Sequence, residues 1–81
     1  MKITVYVRLK EEVLDPQGDA VKRALGTLGF QGVDSVRVGK LIEISVDDEF
    51  AKLPDFEKRL QKMADEMLAN PVIEDYEIRL A

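Results

Sequence analysis

The sequence predicts an α+β domain: a βαββαβ ferredoxin-like variant with a mainly antiparallel sheet and two helices on one face. Three observations predict it. Apolar residues alternate at both ends of the chain, two stretches between them carry helical apolar stripes, and the pieces fall in the order strand, helix, strand, strand, helix, strand. The 81 residues leave room for one small domain, residues 1–81, with one core.

Ile3, Val5, Val7 and Leu9 alternate with Lys2, Thr4, Tyr6, Arg8 and Lys10, so the first strand has one dry and one wet face. Glu11 and Glu12 close it as a solvated strand end. Asp15-Pro16 reads as a helix start. The carboxylate accepts orphan backbone N–H groups, and proline loses nothing at the first helical position. Ala20, Val21, Ala24, Leu25 and Leu28 then form one stripe, and Gly29 suits a left-handed cap, placing helix one at about residues 16–28.

Val33 to Val38 is rich in β-branched residues, and a second such run covers Leu41 to Val46. With Gly39-Lys40 between them, an antiparallel hairpin is expected. Asp47, Asp48 and Glu49 end that hairpin and favour a helix start, while Pro54 limits how early the helix begins. Phe56, Leu60, Met63, Ala64, Met67 and Leu68 make the second stripe, with Asp55 and Arg59 paired at i,i+4. Asn70-Pro71 stops this helix, and Tyr76, Ile78 and Leu80 alternate as the last strand.

Composition excludes more chemistry than it supports. There is no Cys, hence no thiol nucleophile, disulfide or thiolate metal site, and no His for acid–base work or metal ligation. The net charge of −4 opposes nucleic-acid and anionic-membrane partners. No apolar run reaches the roughly 20 residues of a membrane span, so a cytoplasmic location is expected. Gly26, Gly29 and Gly32 close a helix rather than open one, which makes them caps and turns instead of a phosphate loop. The acidic run at Asp47 lacks the alternate spacing of a calcium loop. RNA-recognition domains share the strand order but stack bases on central-strand aromatics, which the hairpin lacks. Acylphosphatase needs an Asn on a strand, and the single Asn here, Asn70, sits at a helix end. No motif singles out a catalytic, cofactor-binding or metal-binding residue. Arg37, Lys40 and Glu43 are the candidate partner-interface residues, because charge at the hairpin is not required by the fold.

Three stretches together resemble a known family. They are Val13-Leu14-Asp15-Pro16-Gln17-Gly18, then Val36-Arg37-Val38-Gly39-Lys40 with Ile42-Glu43-Ile44, and Leu68-Ala69-Asn70-Pro71-Val72-Ile73-Glu74-Asp75-Tyr76. Their order and spacing, from about Ile3 to Leu80, resemble the PurS family, the small subunits of phosphoribosylformylglycinamidine synthase. The resemblance implies a non-catalytic accessory subunit in purine biosynthesis. That synthase uses ATP and glutamine to make formylglycinamidine ribonucleotide. Its partners would be a large synthetase chain and a glutaminase chain, with ammonia passing between them. The resemblance also implies a homodimer or dimer of dimers, with no cofactor of its own. Two other readings compete: an ACT-like module binding a small molecule near the Glu11–Gly18 loop, and a stand-alone enzyme built on carboxylates.

Overall fold

The structure is a computed structural model that describes residues 1–80. Strand β1 (Lys2–Leu9) leads into helix α1 (Pro16–Thr27), strand β2 (Lys40–Ser45), the single turn α2 (Asp48–Ala51) and helix α3 (Phe56–Met63). A π-helical turn (Ala64–Leu68) and strand β3 (Glu74–Leu80) complete the chain. The sheet has three strands in the order β2-β1-β3, antiparallel throughout, with β1 central. The α+β class and the antiparallel sheet agree with the sequence.

Alternation on β1 sends Ile3, Val5 and Val7 into the core, where each is at most 2% exposed. Register places Ile44 and Ile42 beside Ile3 and Val5 on one side, and Leu80, Ile78 and Tyr76 beside Ile3, Val5 and Val7 on the other. Leu60 and Ala69 join this layer, with Phe50, Phe56, Met63 and Leu68 packed around it. The C-terminal helical region thus covers one sheet face. Its start matches expectation in chemistry but is split: Asp47 caps α2 by accepting from Phe50 N–H at 2.8 Å, and α3 begins only after Pro54. The wide last turn comes from Ala69 N–H bonding back to the Ala64 carbonyl at 2.8 Å.

Two expectations are corrected. Val33–Val38 is not a strand, so the βαββαβ order loses one strand and the sheet stops at β2. The Val38 N–H is taken by the Asp15 carboxylate at 2.7 Å, and both edges of β1 are already paired. Tertiary hydrogen bonding overrides the β-branched preference here. Helix α1 also does not lie on the sheet: Gly18 is its one buried residue, and it packs substantially on no other element. The sheet face that two helices are expected to share is filled by α3 and the π-turn. The molecule is therefore long, 51 × 24 × 15 Å, with a radius of gyration of 16.5 Å. A compact chain of this length has about 12 Å.

Candidate functional site

Three surfaces are available: the stem from which α1 projects, α1 itself, and the open face of the sheet. The stem is built by Asp15, whose side chain is buried at 5% exposure. One carboxylate oxygen accepts Gly18 N–H at 2.9 Å, the N-cap bond that Asp15-Pro16 predicts. The other accepts Val38 N–H at 2.7 Å, from 23 residues away. The Val38 bond first, then the Gly18 bond, hold the Asp15 carboxyl below its ordinary range, with Arg37 adding a favourable charge. Gly18 is needed at this point: a Cβ there would lie 2.0 Å from the Val36 carbonyl oxygen.

Helix α1 ends in a Schellman cap. Phe30 N–H bonds the Leu25 carbonyl and Gly29 N–H bonds the Gly26 carbonyl, with Gly29 at φ +95°. The stripe read from the sequence forms but stays uncovered. Val21, Leu28 and Phe30 are exposed, Leu28 at 73%. The stripe is thus an apolar surface open to solvent in the single chain.

On the open sheet face lie Lys2, Thr4, Tyr6 and Arg8 of β1, with Leu41 and Glu43 of β2 and Asp75, Glu77 and Arg79 of β3. Lys2 pairs with Glu43 at 3.4 Å and Arg79 with Glu77 at 3.0 Å. The Arg79 guanidinium sits 4.8 Å from the Tyr6 ring centroid, and it holds the Glu77 carboxyl below its usual value. A shallow hollow of about 430 Å³ lies between Tyr6, Arg8, Leu41 and Arg79. This is a flat, charge-patterned face open to solvent.

The three interface candidates are not brought together. Glu43 lies on the open face. Lys40, three residues earlier on the same strand, has the opposite parity and approaches Glu74 at 3.8 Å. Arg37 lies in the stem and donates to the Lys10 carbonyl at 2.8 Å. Each also has an intramolecular partner, through exposed contacts that contribute little to the fold. The helical region does end before Asn70-Pro71, but Asn70 adopts no left-handed cap; its side chain instead accepts Val72 N–H at 3.1 Å. Sequence reading misses the long-range half of Asp15's role. A buried carboxylate shared by two segments leaves only a helix-cap signature in the sequence. Among the described residues, no group of three or more acidic, His or Cys side chains is placed to hold a metal. No helix among them is long and apolar enough to cross a membrane.

Comparison with known proteins gives a consistent result. Residues 2–81 match the family described as PurS: Phosphoribosylformylglycinamidine (FGAM) synthase. The chain is 44% identical to the FGAM synthase subunit PurS of Bacillus subtilis, over 93% of this chain and 86% of that protein. The crystal structure of B. subtilis PurS superposes with a TM-score of 0.86 at 42% identity, covering 96% of this chain and 94% of that one. A chain in the structure of PurLQS from Thermotoga maritima gives a TM-score of 0.70 at 26% identity, covering 96% and 93%.

Proposed function

The chain belongs to the PurS family of FGAM synthase, and on that premise we propose that it is the bridging subunit between a large synthetase chain and a glutaminase chain. It is a subunit of a glutamine-dependent ligase. The observation that carries the bridging reading is the match, across nearly the whole chain, to a component of a PurLQS assembly. The physical features support it. The chain lacks the Cys that a glutaminase nucleophile needs, and the hollow on its sheet face is shallow and open. It offers instead three separate surfaces along a 51 Å body.

The open sheet face, with Glu43 on it, is complementary to a charged partner. Arg37 and Lys40 present cations near the stem. The uncovered α1 stripe and the unpaired edge of β2 suit a second copy, giving the homodimer or dimer of dimers. A cytoplasmic location is consistent with a role in purine biosynthesis. The ACT-like alternative has less support, since the Glu11–Gly18 loop is occupied by the stem contacts rather than by a ligand cradle. Reconstitution decides the matter. Adding this chain to the other two is expected to raise glutamine-dependent amidine formation severalfold. Full rate without it, or micromolar amino-acid binding by the chain alone, would overturn the reading.

A further inference from the structure

The two legs that carry α1 away from the sheet, residues 10–15 going out and 36–40 returning, are cross-linked at their base. Asp15 accepts Val38 N–H from the opposite leg at 2.7 Å while still capping α1 through Gly18 at 2.9 Å. Arg37 reaches back in the other direction and donates to the Lys10 carbonyl at 2.8 Å. The returning leg also lies close to backbone at both of its ends, to the first turn of α1 at Val36 and to β1 at Gly39. The position of a Gly18 Cβ would be 2.0 Å from the Val36 carbonyl oxygen, and that of a Gly39 Cβ 2.7 Å from the Val7 carbonyl oxygen. Beyond this stem α1 packs substantially on no strand or helix.

We infer that Asp15 and Arg37 form a reciprocal clasp that fixes the direction in which the α1 arm leaves the sheet. Both are positioning residues, acting through the opposite leg's backbone rather than through contact with a partner. The consequence is preorganisation. An arm attached by two unlinked legs sweeps a wide cone and loses that freedom whenever it docks. A clasped arm holds Val21 and Leu28 in one attitude before it meets anything. The inference concerns the isolated chain and stands whether or not the bridging role is right.

The chain has no Cys, so two introduced thiols can be spin-labelled without background. One pair, Thr27→Cys with Ser45→Cys, spans arm to sheet; a second, Ser45→Cys with Lys58→Cys, lies within the packed body. Pulsed electron–electron double resonance is read on the full chain at a dilution where it sediments as a monomer, so that no second copy holds the arm and every distance lies within one chain. Asp15→Asn keeps one acceptor oxygen but turns an amide N–H₂ toward one of the two backbone donors, which opens one of its two bonds. Arg37→Ala removes the second tie at an exposed position where folding is not at stake. Each is expected to broaden the arm-to-sheet distribution roughly twofold and leave the body pair unchanged. Arg37→Lys retains a donor of similar reach and is expected to restore the narrow distribution. An arm-to-sheet distribution that stays narrow in both Asp15→Asn and Arg37→Ala overturns the clasp. Equal broadening of the body pair also overturns it, because the loss is then of the fold and not of the tie.

Discussion

At the scale of single residues, Asp15 and Gly18 carry most of the specific geometry. The Asp15 carboxyl is held below its ordinary value in the folded chain by the Val38 and Gly18 N–H groups, with the Arg37 charge assisting. Its ionised form therefore stabilises the fold at every pH above the unfolded value of about 3.9. That contribution declines as pH falls from there through the lowered folded value. Urea midpoints measured from about pH 6 down to pH 2 are expected to show the native chain's margin over Asp15→Asn shrinking toward acid. A margin constant across the range contradicts the assignment. Gly18 gives a second test. Alanine there puts a methyl carbon into the Val36 carbonyl, a backbone group that cannot swing aside as a side chain would, and is expected to cost about 1–3 kcal/mol. Gly26, on the same helix, has nothing within 4 Å of the point a methyl carbon would occupy. Gly26→Ala is expected to stabilise by about 0.5–1 kcal/mol, because it removes backbone freedom from the unfolded chain. Equal effects at the two glycines would show that the Val36 contact is unimportant.

At the scale of elements, the sheet and α1 follow different energetic rules. Ile3 is fully buried, so Ile3→Val is expected to cost about 0.5–1.5 kcal/mol. Val21 and Leu28 face solvent in the single chain, so Val21→Glu with Leu28→Glu is expected to move the unfolding midpoint of dilute chain by under about 0.5 kcal/mol each. The same double variant is expected to sediment as a monomer at concentrations where the native chain associates. If it associates as before, α1 is not the self-association surface. This contrast also explains what is legible in the sequence. The periodicity of Ile3-Val5-Val7 and the Asp15-Pro16 and Gly29 caps report local geometry, and those elements form where the pattern places them. The same stripe period on α1 says that one face is apolar but not what covers it. Val33–Val38 has strand composition, yet its Val38 donor is claimed by a carboxylate 23 residues earlier. Such a bond between distant segments has no periodic signal. For the same reason Arg37, Lys40 and Glu43 are readable as charges near a turn, but not as lying in a stem, beside Glu74 and on the open face respectively.

At the scale of the whole molecule, the issue is whether an elongated subunit only holds two enzymes together or also helps seal the space between them. The two roles separate by stoichiometry rather than by rate. A nitrogen released from glutamine is nucleophilic only as neutral ammonia, and near neutral pH water converts nearly all of it to ammonium. An exposed route therefore wastes glutamine, whereas a route walled off from water delivers each ammonia to the synthetase site. If this chain contributes a wall, leaving it out, or disturbing its open face with Arg79→Glu beside Tyr6, raises the ratio of glutamate released to amidine formed. If it acts only as a brace, both rates fall together and the ratio stays near unity. The flat charged face between β2 and β3 is the part of the molecule broad enough to lie against a partner as a wall. The arm is a single helix with one apolar stripe, the narrow counterpart to which the anchoring role is assigned in this test. The expected outcome is thus divided between the two ends. Arg79→Glu uncouples hydrolysis from synthesis with the assembly intact by sedimentation, whereas the Val21→Glu, Leu28→Glu chain loses assembly and rate in parallel. Reversal of that pattern would assign the wall to the arm and the anchor to the sheet.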